Sequence, residues 1–291
     1  LLTRLHLEGL SFRSLAEQFN ISVGSAYNYV QDELKKLPHC ADVTRDYCQK
    51  FSGILEVDGK YLKVKTYQRK IPVIYGVDYT THDIPHFILS KAENYQTGKK
   101  FFSSLNLMGY PLQAVVSDDN PNLYETAKYA FPRVTTQLCH LHYLRNIRYS
   151  LDLNENLQHR EFIRDLRTLF FTKRAPDDFD NRARNLLQKF QNDRTCVETL
   201  INIAKRKEHL LGYLSRRGTP LTTNLIEGFN SHLQARLSKI NGFETMSHAK
   251  TWLNAYFLRR RTKKFTDCRG KFTYLNGKTY LQMSKKPGIK P

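Results

Sequence analysis

Three runs rich in β-branched and aromatic residues, 54–65, 71–79 and 85–90, follow one another with only turn-like or polar segments between them. Branched and aromatic side chains pack well on a pleated surface, so such runs form strands, and their close spacing makes them hairpin-like neighbours. The pattern then changes to alternation. Residues 96–108 have helical character, closed by Gly109 and Pro111. Residues 113–117 make a fourth strand. Asn120-Pro121 then supplies a cap with Pro at the first helical position, opening a helix over 122–130. Residues 134–138 are a fifth strand, and a helix follows over 142–151. Three strands in succession and then alternating helices and strands predict a mixed five-stranded α/β sheet.

The flanks read as helical. In 1–36, Leu15 and Phe19 share a face, small Ala16 allows close helix approach, and Asn20 suits a turn that needs positive φ. Ser22 is a good N-cap for the next helix. Ile21, Ala26 and Tyr29 or Val30 would face inward, leaving Ser22, Ser25, Tyr27 and Asn28 outward. This reads as an all-α helix-turn-helix whose second helix enters a major groove, with an ordinary helical hairpin as the alternative. Residues 37–52 read as a linker. Its His39, Cys40 and Cys48 fit no compact metal-binding spacing. Over 151–217, Phe162/Leu166/Leu169/Phe170 and Leu186/Leu187/Phe190 recur at helical spacing, too long a stretch for a loop, so a helical insertion is expected. Residues 224–240 and 245–261 are further helices, closing a second domain over 53–265. The basic tail from Leu258, including 266–291, is expected to be partly disordered.

With 46 Lys and Arg against 27 Asp and Glu, a formal charge of +19, the chain calls for a polyanionic partner. A generic RNA-binding protein would have the same balance. No apolar run approaches the ~20 residues of a membrane span. Five cysteines at irregular spacing make no disulfide framework and suit a reducing interior. The chain starts at Leu1 without a Met and with no charged-then-apolar leader, so a truncated start is expected.

Within this basic chain three acids occupy well-formed contexts. Asp58 lies in the first strand, Asp118 follows the apolar run of the fourth, and Glu227 opens the helix over 224–240. If the first and fourth strands lie side by side, Asp58 and Asp118 converge, and Glu227 joins them from a helix packed on the sheet. Three carboxylates from separate elements can hold two Mg²⁺ about 3.5–4 Å apart at a phosphate. Each has a competing account. Asp58-Gly59 could end a strand, Asp118 could cap a helix, and Asn224-x-x-Glu227 has the form of a capping pair. Asp119 reads as a solvent or capping residue. Glu56, on the face of Asp58, and Asp78 could each replace a member of the trio.

Four segments occur in a telling order: Leu55-Glu-Val-Asp-Gly-Lys-Tyr-Leu-Lys-Val64, Val115-Val-Ser-Asp-Asp119, Cys139-His-Leu-His142 and Thr223-Asn-Leu-Ile-Glu-Gly-Phe-Asn230. Together they resemble the mutator-type DDE transposases of insertion sequences and their eukaryotic relatives. The resemblance covers roughly residues 53–260 and the helical unit before them. It implies an RNase H-like core with a helical insertion before the glutamate, and makes Asp58, Asp118 and Glu227 the catalytic and metal-holding acids. It also implies Mg²⁺ or Mn²⁺ as cofactor, and Cys139 with His142 near the active site as support. Two such ligands alone cannot close a tetrahedral zinc site.

The expected partner is double-stranded DNA, both element ends and target, bound by a homo-oligomer. Ser22, Ser25, Tyr27 and Asn28 would read bases; Arg259, Arg260, Arg261, Lys263 and Lys264 would meet phosphates. The expected location is intracellular and DNA-associated, the nucleoid in a prokaryote or the nucleus in a eukaryote. Two rivals remain open: a catalytically retired transposase kept as a DNA-binding regulator, and an RNase H-fold nuclease that cuts without joining.

Overall fold

The computed structural model describes residues 1–151 and 157–289, and the chain divides into two compact units. The first comprises Leu1–Pro111 and Leu225–Pro291, the second Leu112–Asn224. Of the expected insertion and tail, residues 152–156 and 290–291 lie outside the described residues.

Three helices open the first unit: α1 (Leu2–Leu7), α2 (Phe12–Phe19) and α3 (Val23–Lys35). Ser11 caps α2, Asn20 ends it at φ +50°, and Ser22 caps α3 by accepting the Ser25 N–H at 2.9 Å. Leu15, Ala26, Val30 and Leu34 are buried, whereas Ile21 and Tyr29 are exposed, 38% and 50%. The expectation that Ile21 faces inward is therefore corrected, and of Tyr29 and Val30 it is Val30 that faces inward. A fourth helix, α4 (Cys40–Tyr47), occupies the stretch expected to be a linker, burying Cys40, Val43 and Thr44. Its apolar face is made of small residues, and no side chain caps it, so it carries a weak sequence signal.

The strands of this unit are β1 (Ile54–Leu62), β2 (Ile71–Asp78) and β3 (Phe87–Leu89). β2 runs antiparallel to both neighbours, with Asp58 opposite Tyr75 and Tyr75 opposite Phe87. All of β2 is buried, while β1 is buried through Val57, opens over Asp58–Tyr61 and is buried again at Leu62. Helix α5 (Tyr95–Leu107) follows, capped by Asn94.

The second unit holds β4 (Ala114–Ser117), α6 (Pro121–Ala130), β5 (Thr135–Leu138) and α7 (His140–Ser150). β4 and β5 pair in parallel, Ala114 with Thr135 through Ser117 with Leu138. Asn120 is the N-cap of α6, with Pro121 beginning the helix. The insertion is helical: α8 (Leu157–Leu166), α9 (Pro176–Lys189), α10 (Arg194–Lys205) and the short α11 (Lys207–Leu210). Phe162, Leu166, Leu169, Phe170, Leu186 and Phe190 form its core with Phe179, Cys196 and Leu200, but Leu187 points to solvent. Gln137 ties β5 to this core, donating to the Leu210 carbonyl at 3.1 Å and accepting the Tyr213 N–H at 2.9 Å. Gly212 is required here: a Cβ would lie 2.2 Å from the Thr136 carbonyl oxygen.

The chain then returns to the first unit with α12 (Asn224–Leu237) and α13 (Met246–Thr262). Every residue from Trp252 to Phe257 is buried, as befits a helix surrounded by neighbours. Ile226, Phe229 and Leu233 of α12 join β1, β2 and α13 in one core, which also takes in Leu15, Ala26 and Val30 of α2 and α3. The described part of the tail is structured where partial disorder was expected. Phe265, Leu275 and Tyr280 are buried, and α14 (Tyr280–Ser284) begins with a capping box of Thr279 and Gln282. A basic composition did not prevent order because aromatic side chains recur within it.

The strands, three antiparallel in the first unit and two parallel in the second, are the five strands of mixed direction that the sequence predicts, and the class is α/β. These strand directions agree with an RNase H-like core.

Candidate active site

Asp58 sits where β1 passes from buried to half-exposed backbone. The strand continues past it to Leu62, so Asp58-Gly59 is not a strand end. The carboxylate accepts the Gly59 N–H at 2.8 Å on Oδ1 and an Asn230 Nδ2–H at 2.6 Å on Oδ2. Asn230 in turn accepts the Tyr75 hydroxyl at 2.8 Å. Burial first, then the nearby Tyr256 and Asp58, hold the Tyr75 phenol well above its ordinary pKa, so it remains a donor.

Glu227 lies half-buried in the first turns of α12, one turn before Asn230. Asn224 is already helical, which puts Glu227 one position beyond the N3 place a capping box uses. The Ile226 N–H, an orphan donor of that helix start, goes to Glu56 Oε2 at 3.0 Å. Glu56 is thus a buried cap for α12 from β1. Asp78 is likewise committed to structure. It is fully buried and accepts from Ser52, Thr80, Thr81 and Tyr110, closing the end of β2. Burial raises its carboxyl pKa against the lowering effect of those bonds. Neither alternative acid has the openness of Asp58.

In the second unit Asp118 follows β4, half-exposed. Asn120, not Asp118, caps α6. The neighbouring Asp119 pairs with Arg206 at 3.5 Å. Cys139 stands buried at the cap position of α7, its thiol accepting the Thr223 hydroxyl at 3.2 Å. Burial pushes the Cys139 thiol up, but hydrogen bonds from His142 and Thr223 outweigh it and leave the pKa below its ordinary value. His140 turns into the insertion, where it meets the Leu210 carbonyl at 2.9 Å and the Phe171 N–H at 3.3 Å.

The expected DNA-contacting residues divide sharply. Ser22, Ser25, Tyr27 and Asn28 are exposed, although the Ser22 and Ser25 hydroxyls bond to each other at 2.9 Å and Tyr27 packs edge-on against Phe12. Lys263 and Lys264 are exposed. Arg259 pairs with Glu8, and Arg260 lies 5.0 Å over the Phe229 ring and donates to the Tyr280 hydroxyl. Arg261 is a correction: it is fully buried, its fork gripping Asp83 at 2.7 and 2.8 Å. It also donates to Thr44, to the Cys40 carbonyl and to the Cys48 sulfur. The cysteines of the expected linker thus line an arginine site. Tyr75 and Asn230 were missed by sequence reasoning, although Asn230 ends the Thr223–Asn230 segment, three residues after Glu227. Among the described residues no helix is long and apolar enough to cross a membrane.

Comparison with curated proteins gives no match. Among solved structures, a similar chain is found in the "CryoEM structure of simian T-cell lymphotropic virus intasome in complex with PP2A regulatory subunit B56 gamma". It shares 11% identity, with 100% of this chain and 77% of that chain covered at a TM-score of 0.32, too slight a likeness to argue from. The family description "Transposase, Mutator family" matches residues 40–259, a span that contains Asp58, Asp118 and Glu227. Covering most of the sequence, that match places the chain in the Mutator family of transposases.

Proposed function

We propose that this transposase performs divalent-metal-dependent cleavage and joining of DNA strands at the ends of a mobile element, with Asp58, Asp118 and Glu227 acting as one unit. The observation that carries the reading is the family match across all three acids. The local structure supports it: β1 continues past Asp58, Asn120 caps α6, and Glu56 takes the Ile226 N–H at the start of α12.

The donor set suits a hard cation. Three half-exposed carboxylates offer oxygen ligands of the kind Mg²⁺ and Mn²⁺ prefer. When bound, such ions activate a water or 3′-hydroxyl nucleophile and stabilise the leaving oxygen. The chain's own part is to orient the carboxylates and hold the DNA. Water is the nucleophile for cleavage and the freed 3′-OH for joining, with no covalent protein–DNA intermediate. Cys139 and His142 support this centre. In the same reading α2 and α3 form a helix-turn-helix within residues 1–36, and the catalytic region spans 53–265 with the insertion at 151–217. Ser25 and Asn28 read base edges, Lys263 and Lys264 meet phosphates, and the protein works as a homo-oligomer on DNA.

The test is incubation of the protein with Mg²⁺ and DNA carrying the sequences that flank its own gene. Cleaved and joined products support the transposase. Cleavage without joining indicates a nuclease, and binding without either indicates a regulator.

A further inference from the structure

Asn230 is a polar side chain with 8% exposure, lying between two residues that face each other across β1 and β2. Its amide has one workable orientation. An ionised Asp58 carboxylate only accepts, so the Asn230 NH₂ must face it, which leaves the amide oxygen toward Tyr75. Tyr75, with 0% exposure, must then donate. The hydroxyl of Tyr75 therefore fixes which end of the amide meets Asp58, and the amide fixes the carboxylate's rotation. Asn230 also shares α12 with Glu227 one turn away, and Glu56 of β1 holds the N-terminal turn of that helix. Two hydrogen bonds thus register α12 on β1 around Asp58.

We propose that Asn230, oriented by Tyr75, is a positioning residue for the metal site: it locks the Asp58 carboxylate and sets the register of the helix that carries Glu227. The proposal rests on the function proposed above. The Gly59 N–H bonds one oxygen of the Asp58 carboxylate and the Asn230 amide bonds the other, so both oxygens are fixed in direction. Such supporting partners typically matter about 10–100-fold in metal affinity or activity. A residue serving only to fill the core would instead change stability and leave the metal site as it was.

The experiment compares wild type, Asn230→Ala, Tyr75→Phe and Asp58→Asn as full chains. Mn²⁺ affinity is measured by titration calorimetry, beside thermal unfolding and the Mn²⁺ dependence of strand cleavage. Asn230→Ala is expected to weaken Mn²⁺ binding at least about tenfold and to shift cleavage to higher Mn²⁺. Tyr75→Phe, which frees the amide to turn over, shifts both in the same direction by less. A lower unfolding temperature with wild-type Mn²⁺ affinity in Asn230→Ala overturns the proposal. If that variant does not fold, unchanged Mn²⁺ affinity in Tyr75→Phe overturns it equally. Unchanged Mn²⁺ affinity in Asp58→Asn overturns the metal assignment beneath it, a failure distinguishable from the other two.

Discussion

Replacing Arg261 with Met removes the fork that neutralises Asp83, in a site where both side chains have no solvent exposure. Asp83 keeps bonds from the Ile84 N–H and the Ser284 hydroxyl, but its charge loses the only ion pair it makes among the described residues. Thr44, the Cys40 carbonyl and the Cys48 sulfur lose a donor as well. Breaking a buried pair from one side costs about 3–5 kcal/mol. At about 2–4 °C per kcal/mol for a domain of 150–250 residues, the unfolding temperature of the first unit falls by about 6–20 °C. Removing both charges together, as Arg261→Met with Asp83→Leu, leaves neither buried alone and restores most of the stability. The assay is thermal unfolding, with the salt dependence of DNA affinity measured in parallel. A shallower salt slope with unchanged unfolding temperature would refute the buried-pair reasoning and return Arg261 to the phosphate backbone.

The exposed lysines supply the contrast. Lys263→Ala with Lys264→Ala should make the slope of log affinity against log salt shallower by roughly 2 units, with unfolding unchanged; an unaltered slope means that they are solvated away from DNA. Ser25→Ala with Asn28→Ala should cost ~1–3 kcal/mol of discrimination for each base edge that is no longer read, leaving affinity for random DNA nearly intact, and equal weakening on both DNAs contradicts that role. Burial lowers the pKa of His82, His86 and His140 to about 4, with nearby lysines contributing for the first two. The unfolded chain therefore takes up protons below about 6.5 that the native state refuses. Stability from this source is complete above that pH, falls as pH drops toward 4, and levels off below it. Urea midpoints for wild type and His140→Gln measured from about pH 7 to about pH 4.5 should show a less steep fall in the variant, and superimposable curves would contradict it.

The sheet was legible because its strands are runs of branched residues buried on β2 and on the first half of β1. Their ends were less so: β3 spans Phe87–Leu89, the residues in register with Tyr75, Ile74 and Val73 of β2. The N-caps Ser22 and Asn120 were legible from local chemistry alone. What escaped was long-range. Arg261 looks like part of a solvated helix end, and its partner Asp83 is 178 residues away. Glu56 and Asp58 alternate along one strand with equal promise, and the packing of α12 separates them: one carboxylate caps the helix, while the other meets Asn230 from a half-open position. Helix α4 escaped because its buried face offers Cys, Val and Thr rather than large apolar residues.

The central claim is that Asp58, Asp118 and Glu227 hold one catalytic centre, and strand cleavage and joining by the charge-removing variants test it most directly. Asp58→Asn, Asp118→Asn and Glu227→Gln are assayed with Mg²⁺ on end-containing DNA, beside a binding assay. Each keeps the shape of its side chain and removes the charge that would hold the cation. The account predicts that cleavage and joining collapse in all three while DNA binding persists, with Asp119→Asn far milder. Full activity in Asp58→Asn or Asp118→Asn would contradict the account, and an active Glu227→Gln would remove that residue from the metal-holding set.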